Sequence, residues 1–229
     1  MIFWPSIAGA ADELQDLSLG FGLTGQVVGS FLDQPDDLSL DPGGDLELVY
    51  PGFAGAGGGI GLSAELRYKE FLALETGLSL SSDHGSGFID LVEVNIGQMA
   101  LHFPVLVKAI YPASSVRPHL ALGFEFVSPR SLEVSTDPVL SASSTVIGGR
   151  ASNYVNFVVG LGMEFLLPFE KVDLRVPVNV RAGINPAMAG PARERADYVL
   201  DGVTVRSVVF NSEWRYQVSA TVGLSYFLF

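Results

Sequence analysis

The stretch Leu17-Ser-Leu-Gly-Phe-Gly-Leu-Thr-Gly-Gln-Val-Val-Gly-Ser-Phe31 decides how the rest of the chain is read. Its odd positions carry Leu17, Leu19, Phe21, Leu23, Val27 and Phe31, with glycine at 25 and 29. Its even positions carry Ser18, Gly20, Gly22, Thr24, Gln26 and Ser30, interrupted only by Val28. A period of two makes this a β-strand with one greasy face and one polar or tiny face. The same alternation returns in Ile60–Tyr68, Leu72–Leu80, Met99–Lys108, Arg117–Phe126, Val155–Phe165, Leu174–Arg181 and Trp214–Leu228. That makes eight strands, each near the roughly 9–11 tilted residues that cross a bilayer. Apolar parity flips between Val94, Ile96 and Met99, Leu101, which predicts a β-bulge near Gly97.

Composition agrees with strands and excludes several classes. Of 229 residues, 48% are hydrophobic and 17% charged, with 26 glycines and no cysteine. The mean hydropathy of +0.36 is high, yet no run approaches the roughly 18 apolar residues of a spanning helix. The longest apolar run, Phe157–Phe169, is broken by Gly160, Gly162, Glu164 and Pro168. Disorder and a disulfide scaffold are both ruled out. A net charge of −12 speaks against nucleic acid, whose phosphates need clustered cations. Only residues 9–16 could form a helical turn, and they are too few to be stable alone.

Which face is the core separates two all-β architectures. A water-soluble sandwich shows bulky charged residues on its outer face. Here the non-greasy face holds Gly, Ser and Ala with a few ions, as a narrow shared interior requires. The ions placed inward are Glu65, Glu75, Glu93, Glu125, Glu164 and Asp173 against Arg67, Lys108, Arg117, Arg175, Arg181 and Arg215. Buried ions need partners, and six of each sign make the interior formally neutral. The expected fold is therefore a transmembrane, eight-stranded, antiparallel up-and-down β-barrel. Its barrel covers residues 17–229, after an N-terminal tail or signal-peptide remnant at 1–16 with small residues at 8–11.

Short connections at Lys69–Phe71, Pro112–Val116 and Pro168–Val172 alternate with long ones at about 33–52, 82–92, 129–152 and 185–212. This is the asymmetry of periplasmic turns and extracellular loops. Two aromatic belts are expected, with Tyr68, Phe71, Tyr111, Phe165, Phe169 and Tyr226 at the short-turn side. Phe31, Phe53, Phe126, Tyr154 and Trp214 are assigned to the other. Asp201-Gly202 carries the signal of a type I′ hairpin projecting from the last long connection.

These residues resemble the eight-stranded outer-membrane β-barrel family, of the OmpA-transmembrane-domain and OmpX type. The carboxyl end fits the last-strand insertion signal of such proteins through Thr221, Gly223, Tyr226 and Leu228, followed by Phe229. Met99–Lys108 with Arg117-Pro-His-Leu120 resembles a strand pair of the porin-like small-barrel subfamily, with His119 where Tyr is usual. The resemblance implies an outer-membrane location in a diderm bacterium and insertion by the barrel-assembly machinery. It implies contact with outer-membrane lipid and lipopolysaccharide, and other envelope proteins as partners. It does not imply one activity.

The expected role is non-catalytic, a membrane anchor with a plugged polar lumen whose extracellular loops bind or assemble partners. The lumen charge network is assigned to Glu65, Arg67, Glu75, Lys108, Arg117, His119, Glu125, Glu164, Asp173, Arg175, Arg181 and Arg215. His102 and His119 face inward without first-shell metal spacing, so no metal site and no cofactor are assigned. One alternative is a narrow pore. Another is a lipid A-modifying hydrolase, because His84-Gly85-Ser86 beside Asp83 and Asp90 resembles the His-x-Ser pair of eight-stranded deacylases. The first long connection gathers Asp33, Asp36, Asp37, Asp41, Asp45 and Glu47, read as solvated charge in the absence of EF-hand spacing.

Overall fold

The alternating segments close into one ring. In the computed structural model the ring strands are β1 (Leu17–Leu32), β2 (Phe53–Tyr68), β3 (Leu72–Ile89), β4 (Val92–Ile110) and β5 (Val116–Thr136). After β6 (Thr145–Arg150), the ring continues with β7 (Tyr154–Leu166) and β8 (Asp173–Ile184). β9 (Arg193–Leu200) and β10 (Val203–Asn211) then precede β11 (Tyr216–Leu228). The structure describes residues 17–32, 53–89, 92–113, 115–136, 145–169, 172–187, 193–200, 203–211 and 213–228. The tail 1–16, the acidic stretch 33–47, Asp201-Gly202 and Phe229 lie outside the described residues.

The closed order is β1-β11-β8-β7-β5-β4-β3-β2, with every neighbouring pair antiparallel. Eight sequence segments thus become eight staves. Paired residues can be followed once around, from Phe21 through Ala64, Thr76, Val105, Phe124, Phe157, Ile184 and Tyr216. The circuit returns to β1 at Phe31, ten residues further on. With 3.3 Å of rise per residue and about 4.8 Å between strands, that stagger tilts the strands by about 40°. Each residue then climbs about 2.5 Å along the axis, so an apolar band of about 25 Å takes some ten residues.

The outward face is greasy over that height. Leu23, Ile60, Leu62, Leu78, Phe103, Phe124, Leu161 and Val222 are all exposed large hydrophobics, an arrangement that only an apolar surrounding stabilises. Phe31, Phe126, Tyr68, Phe71, Tyr111, Phe165, Phe169 and Tyr226 are likewise exposed. Tyr154 and Trp214 are not in a belt: both are buried inside the ring, where the Tyr154 hydroxyl donates to Gln217. A polar tip needs a partner once it leaves the interface, and the lumen supplies one.

The expected bulge is displaced. Val94 and Ile96 are buried on the same inward face as Gln98, Ala100 and His102, so β4 keeps one parity past Gly97. The register shift lies in β5, where Met99 pairs with Ser131 and Ala100 with Pro129, leaving Arg130 as the extra residue. Above the lipid band the code inverts, with aliphatics packing inward and His84, Ser86 and Asn95 facing out. Glu93 shares that outward face of β4 and is not a lumen charge. β3, β4 and β5 contain 18, 19 and 21 residues against 13, 12 and 13 for β7, β8 and β11, so one wall stands taller.

Two long connections also form a second sheet of order β6-β10-β9, in which the β9-β10 hairpin was expected from Asp201-Gly202 and the addition of β6 was not. β9 and β10 are antiparallel with Leu200 opposite Val203, whereas β6 runs parallel to β10 with Thr145 opposite Arg206.

Candidate functional site: the charged lumen

Glu65 and Arg67 are two apart on β2, and Asp173 and Arg175 two apart on β8, so each pair shares the inward face of its strand. Arg67 Nε donates to Glu65 at 2.9 Å, and its Nη2 reaches across the ring to Glu164 of β7 at 2.7 Å. Lys108 of β4 donates to Glu65 at 2.7 Å and also pairs with Glu75 of β3. Glu75 in turn accepts from Arg181 of β8 at 2.5 Å. The chain Glu164–Arg67–Glu65–Lys108–Glu75–Arg181 therefore ties five strands together across the interior. Arg175 donates to Asp173 at 2.8 Å and lies 3.5 Å from Glu164. The guanidinium groups of Arg67 and Arg175 also stack on the Phe227 ring at 4.7 and 4.0 Å.

Burial explains why the charges come in a connected set. Arg67 is 0% exposed and Arg175 2%, and an isolated ion there would lose several kcal/mol of hydration. Charge-assisted bonds to several partners offset that loss. Arg117 pairs with Glu70 and donates to the Ala113 carbonyl at 3.3 Å, which completes the short-turn mouth.

A second tier lies nearer the long connections. Glu125 lies 3.2 Å from His102 Nδ1, and Ser81 Oγ lies 2.8 Å from His102 Nε2. This is the connectivity of a serine–histidine–acid relay. Ser81 is 1% exposed, however, and the cavity lined by His102 and Glu125 holds only about 50 Å³. That is room for water rather than for an ester or amide substrate. His119 lies 2.7 Å from Asn179, which donates to Thr221. Gln217 donates to Ser30 and to Asp83, and accepts from Asn156.

Arg215 lies at the long-connection rim, with its guanidinium 5.2 Å over the Tyr216 ring. Glu70 was missed by parity reasoning, since it occupies a turn rather than a strand face. The usable signal was its placement three residues after Arg67 across a two-residue hairpin. Of the insertion-signal residues, Thr221 is buried, Gly223 faces the lumen and Tyr226 is exposed outward.

No family model matches the sequence, and no curated protein is similar to it in sequence. Solved structures do match in shape. Outer membrane protein OprG from Pseudomonas aeruginosa superposes with a TM-score of 0.52 at 10% identity, over 92% of this chain and 95% of that one. Neisserial surface protein A matches with a TM-score of 0.37 at 10% identity, covering 92% and 96%. The attachment invasion locus protein Ail of Yersinia pestis matches with a TM-score of 0.35 at 12% identity, covering 93% and 97%. The OprG superposition, joined to the closed eight-stranded ring with its greasy exterior, gives this chain the fold of the small outer-membrane β-barrels.

Proposed function

We propose that the chain is an integral outer-membrane anchor with a plugged lumen, presenting the sheet of its long connections as a binding or assembly surface. The carrying observation is the ion-pair chain from Glu164 to Arg181, which spans the interior instead of lining an open channel. The lumen cavities beside it measure about 50 and 30 Å³ and are both lined by Glu75 and Arg181. Lipid and lipopolysaccharide would surround the greasy exterior. The barrel-assembly machinery would read Thr221, Gly223, Tyr226 and Leu228 during insertion. A narrow pore is the competing outcome. Liposomes carrying the protein should swell no faster in sugar solutions than empty ones, and rapid swelling would refute the plugged lumen.

A second reading, a lipid A hydrolase, is favoured by one observation. His84 and Ser86 face outward on β3, across from Gly97 and Asn95 of β4, with Glu133 next in the row on β5. They line a cavity of about 330 Å³ just above the apolar band, where an outer-leaflet headgroup would lie. Lipid A from cells expressing wild type and Ser86→Ala should give identical mass spectra if the protein is non-catalytic. A missing acyl chain present only with wild type would establish the enzyme.

A further inference from the structure

The turn between β2 and β3 is unusual for its sequence. Lys69 and Glu70 have φ of 49° and 61°, and Phe71 N–H donates back to the Tyr68 carbonyl at 3.4 Å. Two left-handed residues make a type I′ hairpin, a place normally taken by Asn-Gly because side chains are disfavoured there. A compensating interaction is present in the Glu70 side chain, which folds back into the mouth of the lumen. Its carboxylate pairs with Arg117 and lies 3.6 Å from Arg175 and 3.8 Å from Arg67.

Glu70, with Glu65, Glu164 and Asp173 already engaged by Arg67 and Arg175, still leaves the three guanidinium groups incompletely satisfied. The Nη1 atoms of Arg67 and Arg175, on residues 0% and 2% exposed, donate no hydrogen bond among the described residues. They approach Glu70 and Glu164 at 3.8 and 3.5 Å, beyond hydrogen-bonding length. The Glu70 side chain itself is 41% exposed, on a turn that can release it without moving a ring strand.

We propose that Arg67, Arg117 and Arg175 form an oxyanion site at the short-turn mouth of the barrel, with the Glu70 carboxylate as its resident occupant and a phosphate group as its external ligand. Phosphate fits better than a second carboxylate. Its oxygens point in several directions and can accept from three guanidinium groups at once, whereas a carboxylate offers two oxygens in one plane. Two sources share this chemistry: free phosphate, and the phosphate of a lipid headgroup in the adjoining leaflet. The second rests on the membrane reading above.

The test uses the full chain in dodecyl maltoside micelles, which carry no phosphate, titrated with inorganic phosphate in a calorimeter. Glu70 competes with the ligand, so wild type binds with the intrinsic affinity reduced by the fraction of open mouths. Glu70→Gln is expected to bind roughly ten-fold tighter than wild type. The double variant Lys69→Asn, Glu70→Gly should behave alike, and it keeps the hairpin because Asn-Gly favours this turn. Adding Arg117→Gln to either should abolish binding while leaving heat-modifiable gel mobility intact. Doping the micelles with phosphatidic acid assigns the source, since competition with inorganic phosphate points to lipid and indifference to the free anion. Equal affinity in wild type and both Glu70 variants would overturn the proposal, as would binding that survives Arg117→Gln or no binding to any variant.

Discussion

Arg67→Met is expected to lower the stability of the folded barrel by about 3–5 kcal/mol, the usual loss when one partner of a buried ion pair is removed. Methionine keeps an unbranched side chain, so the change isolates the charge. Without the guanidinium, Glu164 loses the donor at 2.7 Å and Glu65 retains only Lys108. The Phe227 ring also loses one of its two stacked cations. Unfolding in urea, followed by the fraction with heat-modifiable mobility, gives the midpoint. A second substitution in the same background, Glu164→Gln, should recover part of the loss because it removes a charge left with only Arg175, at 3.5 Å. A loss below about 1 kcal/mol would place the network in the class of solvated surface pairs and remove the argument for a sealed mouth.

Gly123→Ala is expected to be strongly disruptive, because the added methyl group would run into the neighbouring strand. A Cβ at this position would stand 2.1 Å from the Val105 carbonyl oxygen and 2.9 Å from the Leu106 Cα, both backbone atoms that cannot rotate away. β4 and β5 would have to separate where they now pair Leu106 with Gly123, at a cost of about 1–3 kcal/mol or somewhat more. Gly25→Ala is the matched control, because a Cβ there meets nothing within 4 Å. Its stability should stay within about 0.5 kcal/mol of wild type, or rise slightly as the denatured chain loses freedom. Equal midpoints for the two variants would show that the ring yields at Gly123 more easily than its close packing suggests.

The ring was legible in the sequence because lipid and lumen impose opposite demands on alternate residues. Leu17 to Phe31 states that rule plainly, and the other strands repeat it. The same rule misled at Gly97. It holds only where hydrocarbon lies outside, and above that level Val94 and Ile96 turn inward while Asn95 faces out. A change of solvent thus looked like a change of register, and the true bulge at Arg130 left no comparable mark. Tyr154 and Trp214 were misplaced in the same way, as aromatics at the rim that point in rather than out.

Pairings within the lumen were less accessible. Parity says that Glu65 and Glu164 face the interior, but not that Arg67 touches both, since that depends on stagger and on the Phe227 ring beneath it. Glu70 was invisible to parity altogether. The parallel pairing of β6 with β10 joins connections far apart in the chain, and no local pattern in either announces the other.

The seam of the ring has a kinetic consequence. β1 pairs with β11 from Leu19–Leu228 to Phe31–Tyr216, so its rungs join residues separated by nearly the whole length of the chain. Contacts of such long separation are the slowest to form, because almost all of the intervening segment must be confined before the first rung is made. Until then the two terminal staves expose unsatisfied backbone, the commonest template for pairing with a neighbouring molecule. Synthesis of β11 is thus a commitment step: the open ring remains vulnerable to aggregation until β11 has emerged and paired with β1.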